Sequence, residues 1–75
     1  MGAQPADARN NLGLAYERKG DLGNAYAMYI EALRLDPRCG PARANLVYVA
    51  RRLGKEIPED VSKEPEAPAG RSGKQ

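Results

Sequence analysis

Residues 6–20 read ADARNNLGLAYERKG, and the chain repeats their pattern 34 residues later, at residues 40–54, as GPARANLVYVARRLG. Six of the fifteen aligned positions are identical, whereas ordinary residue frequencies give about one identity by chance. The identical residues of the first stretch are Ala8, Arg9, Asn11, Leu12, Arg18 and Gly20. Self-similarity at this period indicates stacked helix–turn–helix units.

The spacing of apolar residues predicts three helices, at about 5–19, 22–35 and 41–53. Gly20 and Gly54 follow the first and the third helix, where a left-handed backbone is the common way for a helix to end. Short connections between helices make neighbours antiparallel. The sequence therefore predicts an all-α fold of three packed helices.

Each predicted helix has an apolar stripe for the core. The stripe of the first helix is expected to contain Ala8, Leu12, Ala15 and Tyr16. The stripe of the third helix is expected to contain Ala42, Leu46, Val49, Ala50 and Leu53. The second helix is apolar along two sides, with Leu22, Ala25, Tyr29 and Ala32 on one and Tyr26, Ile30 and Leu33 on the other. A helix with two apolar sides is expected to pack between two neighbours.

Residues 6–39 resemble the tetratricopeptide repeat family. The family pattern has Leu-Gly and Tyr in the first helix of a unit, Ala, an aromatic residue and Ala in the second, and a closing Pro. The corresponding residues here are Leu12, Gly13, Tyr16, Ala25, Tyr29, Ala32 and Pro37. Gly13 and Ala25 are small, as is needed where two helix backbones approach closely.

The second unit is incomplete. Pro58 falls where Asn24 stands in the first unit, and a proline inside a helix removes a hydrogen bond and clashes with the preceding turn. We therefore expect one full repeat followed by a terminal helix of the capping type. Since arrays of this kind usually need about three units to be stable, the chain is expected to self-associate, to pack on a partner, or to form the end of a longer array.

The composition changes near residue 57. Residues 1–57 are predicted to form the helical domain, and residues 58–75, which hold three of the six Pro, a charged and mostly disordered tail. Residues 58–62 are expected to form one helical turn that docks Ile57 and Val61 on the last helix.

The residue types exclude most catalytic and metal sites. The chain has no His and one Cys, Cys39, and its carboxylates form no convincing pair. We therefore predict no enzymatic activity, no metal and no cofactor. Cys39 lies in the loop before the third helix and is expected to stay a free thiol, although an exposed one would join two chains in an oxidising setting. No apolar run is long enough to span a membrane, and the composition fits the cytoplasm.

The resemblance implies a protein-interaction module whose groove, lined by the first helix of each unit, holds a partner peptide. The residues expected to contact the partner are Asn10, Asn11, Leu14, Arg18, Asn45, Tyr48, Arg51 and Arg52. Two alternatives stay open. Asn11 and Asn45 either bind a peptide backbone or are merely solvated, and Leu14 and Tyr48 either form a contact patch or pack within the bundle.

The third helix is basic, with Arg43, Arg51, Arg52 and Lys55. This charge either attracts nucleic acid or an acidic partner, or interacts with the helix dipole, which the sequence favours. The predicted function is thus non-enzymatic binding of a partner protein or peptide, self-association, or both. The alternative is binding of nucleic acid or of an acidic partner through the basic third helix.

Overall fold

A computed structural model describes residues 5–63 of the chain. It contains α1 (Pro5–Arg18), α2 (Leu22–Leu35), α3 (Gly40–Leu53) and the short α4 (Glu59–Ser62). These residues include no strand, and the three long helices pack on one another. The all-α prediction is confirmed. The rest of the predicted disordered tail, residues 64–75, lies outside the described residues.

Glycines end the first and third helices in the left-handed conformation. Gly20 has φ of 84° and Gly54 has φ of 70°, as their positions after each helix predicted. Asp21 then starts α2, because its side chain accepts a hydrogen bond from the Asn24 backbone N–H at 3.3 Å. The tight turn that results folds α2 back along α1 as a helical hairpin.

The connection from α2 to α3 is short and partly buried. Asp36 has an extended backbone and ends α2, and its carboxylate accepts a hydrogen bond from the Arg38 backbone N–H at 3.0 Å. Cys39 is the N-cap residue of α3 and a free thiol that is buried. Because the thiol lies inside the core, Cys39 is not the exposed cysteine that would join two chains in an oxidising setting.

The centre of the fold is α2, which packs between α1 and α3. Its buried side chains line both of the sides that the sequence predicted as apolar: Ala25, Tyr29, Ile30, Ala32 and Leu33. The buried residues of α3 are Ala42, Leu46, Val49 and Ala50, all from the predicted stripe. Removing these apolar side chains from water is the main force that holds the three helices together.

The core face of α1 differs from the prediction. Its buried residues are Ala6, Asn10 and Gly13, whereas Ala8 and Ala15 of the expected stripe are exposed and Leu12 is 41% exposed. The reason is steric. A Cβ atom at position 13 would lie 2.5 Å from Cε1 of Tyr29 and 2.8 Å from its Cδ1, so only glycine fits under the ring. Of the predicted stripe, Tyr16 alone packs against the core, where it is half-buried.

The short helix α4 closes the other side of the bundle. Val61 is only 3% exposed and belongs to the main core, and Ile57 packs against it half-buried. The Arg34 guanidinium of α2 donates to the Asp60 carboxylate at 2.9 Å, and the Arg43 guanidinium of α3 donates to the Val61 carbonyl at 2.7 Å. The predicted helical turn therefore docks on α2 as well as on α3.

Gly13→Ala should lower the free energy of unfolding by about 1–3 kcal/mol, because the added methyl group overpacks the Tyr29 ring. The matched control is Gly23→Ala in α2, where a Cβ meets nothing within 4 Å and where about 0.5–1 kcal/mol of stabilisation is expected from helix propensity. Urea unfolding followed by circular dichroism measures both. Equal stabilities for the two variants would contradict the close approach of α1 and α2.

Candidate functional site

The first and third helices form a shared surface on one side of the bundle. Each is antiparallel to α2, so α1 and α3 run side by side in the same direction. An amide pair joins them: Asn45 Nδ2 donates to Asn10 Oδ1 at 3.1 Å. We call the surface on either side of this pair the α1–α3 surface. On α1, the surface contains Leu14 and Arg18, which follow Asn10 at intervals of one turn. On α3, it contains Tyr48, Arg51 and Arg52, which follow Asn45.

The amide pair changes the expected role of the asparagines. Asn11 and Asn45 are equivalent in the repeat, but Asn45 bonds to Asn10, which is only 7% exposed, while Asn11 is exposed to solvent. The burial of Asn10 is foreshadowed in the sequence by its spacing from Ala6 and Gly13, the other two residues that α1 buries. Asn10 therefore ties the helices together, and Asn45, half-buried, borders the surface.

An aromatic residue stands out from the surface one turn after Asn45. Tyr48 is 47% exposed, and its hydroxyl accepts a hydrogen bond from Arg52 Nη1 at 2.9 Å. The Arg52 guanidinium carbon lies 5.7 Å from the centroid of the same ring, within the range of a cation–π interaction. Arg52 thus holds the ring in place and adds positive charge beside it.

The remaining predicted contact residues have different exposures. Leu14, one turn after Asn10, is half-buried and packs against the core. Arg18 and Arg51 lie in the last turns of α1 and α3 and are exposed. Leu14 is thus partly a packing residue, whereas Tyr48 is a surface residue, and a contact patch at these two positions stays a prediction.

Beneath the surface, Glu17 is bound to the core tyrosine. The Tyr29 hydroxyl donates to Glu17 Oε1 at 2.6 Å. Burial, together with this hydrogen bond and the nearby carboxylate charge, raises the pKa of Tyr29 above its usual range. The phenol thus stays protonated and continues to fix the Glu17 side chain at the edge of the α1–α3 surface.

The basic residues of the third helix do not share one face. The Arg43 guanidinium is engaged by backbone carbonyls, those of Val61 at 2.7 Å and Pro37 at 2.9 Å. The Lys55 ammonium lies 5.1 Å from the centroid of the Tyr26 ring. Three of the four cations that suggested a nucleic-acid site therefore make contacts within the chain, since Arg52 is bound to Tyr48.

Neither a metal site nor a transmembrane helix is found in the part of the chain that the structure describes. Among residues 5–63, no group of three His, Cys, Asp or Glu side chains is arranged to hold a metal ion. Within the same range, no helix combines the length and the apolar character needed to cross a membrane.

Comparison with protein families identifies the first helical hairpin. Residues 6–39 match the family model of the tetratricopeptide repeat. Comparisons of the chain with curated proteins and with solved structures found no match.

Asn45→Ala should lower the free energy of unfolding by about 1–3 kcal/mol, because it leaves the buried Asn10 carbonyl without its donor. Asn11→Ala removes the same amide from an exposed position of α1 and should change stability by less than about 0.5 kcal/mol. Thermal or urea unfolding of both variants provides the measurement. A larger loss for Asn11→Ala would mean that the amide pair does not join α1 to α3.

The Tyr29–Glu17 bond makes stability sensitive to alkaline pH. Because the pKa of Tyr29 is raised in the folded chain, the protonated hydroxyl contributes to the free energy of unfolding. This contribution is complete below the pKa of free tyrosine, about 10, and is lost as the pH rises above that value. Between pH 9 and 11 the wild-type chain should therefore lose about 1.4 kcal/mol more unfolding free energy than Tyr29→Phe. Urea unfolding at the two pH values tests this, and parallel losses would show that the phenol ionises equally in both states.

Proposed function

We propose, from the premise that residues 6–39 form a tetratricopeptide repeat, that the chain binds an extended segment of a partner protein along the α1–α3 surface. Repeats of this family generally mediate protein–protein interaction and are not enzymes.

The observation that carries the proposal is the exposed ring of Tyr48, held by Arg52. A large aromatic side chain that is half-exposed, yet fixed in one position, offers contact area at little further cost in conformational entropy. Tyr and Arg are also the residues most often found at the energetic centre of protein interfaces. Leu14 extends the apolar area on the α1 side of the same surface.

The polar groups around this centre suit an extended acidic segment. Asn45 and Asn11 carry amides that are able to donate and accept hydrogen bonds with a peptide backbone. Arg18, Arg51 and Arg52 lie in the last turns of their helices and bring positive charge to one end of the surface. We therefore infer a partner segment with an apolar side chain for Tyr48 and Leu14, followed by Asp or Glu for the arginines.

Self-association is a second candidate function. It is supported by Leu12, a large apolar side chain of α1 that is 41% exposed. For both functions we propose the cytoplasm as the compartment, because Cys39 is a buried free thiol, as is common in reducing surroundings.

Nucleic-acid binding has weaker support. Arg43 and Lys55 are engaged within the chain, and Tyr48, the exposed aromatic side chain beside the cations, already stacks with Arg52. A fluorescein-labelled 20-nucleotide single strand is the direct probe. Tight binding that falls steeply with salt would favour this alternative over a peptide partner.

The proposal is tested with peptides. A display library of random 12-residue peptides is selected on the full chain, and the affinity of the selected peptides is measured by fluorescence anisotropy. Peptides rich in apolar residues next to Asp or Glu are expected. Tyr48→Ser should weaken their binding at least about tenfold, since truncated interface tyrosines often cost more than 1 kcal/mol.

The control for this experiment is Leu35→Ser. Leu35 is a large apolar side chain that is 54% exposed at the end of α2, away from the α1–α3 surface. The Leu35→Ser substitution should leave peptide affinity unchanged. Peptides that bind Tyr48→Ser as tightly as the wild-type chain, or a library that yields no binder, would contradict the proposed surface.

A further inference from the structure

We infer that residues 55–62 form a strap that two copies of the chain exchange, so that the strap of each copy docks on α2 and α3 of the other. The inference rests on the self-association proposed above and specifies the segment that produces it. Every contact that holds the strap in one chain is available, unchanged, in a second copy, which is the condition for domain swapping.

The strap is held by one buried side chain and several polar contacts. Val61 is its deeply buried residue. Tyr26 of α2 donates its hydroxyl hydrogen to the Glu56 carbonyl. Arg34 of α2 bonds to both carboxylate oxygens of Asp60, at 2.9 and 3.3 Å. These contacts join the strap to α2, more than twenty residues earlier in the chain, so they survive exchange if the same residues of another copy replace them.

Most of these contacts are exposed to solvent. The side chains of Arg34 and Asp60 are 54% and 58% exposed, and Ile57 is only half-buried. An exposed ion pair contributes little to stability and is weakened by salt. The cost of opening the strap is therefore set by exposing Val61 and by breaking the Arg43 hydrogen bond to its carbonyl, while the exposed ion pair adds little.

The hinge for this opening is Gly54. In the closed chain its backbone is left-handed, with φ of 70°, and it turns the strap back over the bundle. A glycine adopts left-handed and right-handed conformations with similar ease. When Gly54 becomes helical, α3 continues toward Glu56, and Pro58 keeps Ile57 extended. With Gly54–Glu56 and α4 helical, the eight residues from Gly54 to Val61 then reach about 16 Å, which is far enough to carry Val61 away from its own bundle to a neighbouring copy.

A second copy is the occupant that the docking face fits best. The face presents Arg34 to a carboxylate, the Arg43 guanidinium to a backbone carbonyl and a core position to a Val side chain. The strap of another copy offers Asp60 and Val61 in the matching order. When a chain's own strap leaves the docking face, the face keeps the same shape and charge. Docking of the other copy's strap therefore restores the core of each chain.

The first test changes the hinge. Gly54→Ala strains the left-handed turn without touching any neighbour, so it should favour the open hinge and raise the dimerisation constant at least about tenfold. Gly20→Ala is the matched control, because Gly20 is also left-handed, with φ of 84° and open space around it, but ends α1. It should give no such increase. Sedimentation equilibrium of the full chain distinguishes 8.1 kDa from twice that mass.

The second test reverses one charge of the Arg34–Asp60 ion pair in each of two variants. Arg34→Glu and Asp60→Lys each place like charges at the docking contact within one chain, whereas exchange between the two variants restores opposite charges at both contacts. A mixture at low salt should therefore form a one-to-one dimer about tenfold tighter than either variant alone. Arg38→Glu mixed with Asp60→Lys makes the same charge change at an exposed loop position and should show no gain.

The outcomes separate exchange from other self-association. A tighter dimer for Gly54→Ala and for the charge-complementary mixture, each abolished by Val61→Asp, supports exchange. If the wild-type chain dimerises but Gly54→Ala and the mixture show no gain, exchange is overturned, and self-association through another face, such as that around Leu12, stands. If every variant remains a helical 8.1 kDa monomer, both are overturned.

Discussion

The ring of Tyr29 lying on Gly13 is the contact on which the rest of the structure depends. It sets the distance between α1 and α2 and, with it, the rotation of α1 about its axis. That rotation brings Asn10 inward, to the amide of Asn45, and places Glu17 within hydrogen-bond distance of the Tyr29 hydroxyl. One steric constraint thus positions the polar groups that border the α1–α3 surface.

The incomplete second unit is closed by polar contacts as much as by apolar ones. Where a second helix of full length would bury a continuous stripe, α4 buries Val61 and relies on Arg34 and Arg43 for the rest. Because hydrogen bonds to a strap at the surface compete with water, this end of the bundle is held less firmly than the α1–α2 hairpin. Stability in this small fold is therefore uneven, and the proposed exchange of the strap begins at the weaker end.

The two proposed binding regions differ in their chemistry. The α1–α3 surface combines the exposed ring of Tyr48 with arginine side chains at the ends of two helices, which suits an apolar and acidic segment. The face under α4 matches a short helical turn with Asp60 and Val61. They lie on different sides of the helices, so a chain with an exchanged strap still presents Tyr48 and Arg52 to a partner.

Local features, which depend on neighbouring residues alone, were determined by the sequence: the 34-residue period, the left-handed glycines at 20 and 54, the Asp21 cap and the two apolar sides of α2. Tertiary structure decided which face of α1 is buried, because Ala6, Asn10 and Gly13 share a face by their spacing but carry little apolar signal until Tyr29 packs on them. It also decided that Cys39 is buried, that Asn45 pairs with Asn10 and that Arg43 turns to the strap, since each depends on a residue distant in the chain. The apolar periodicity of a sequence indicates which face of a single helix tends to be buried, whereas these contacts depend on how closely two helices approach.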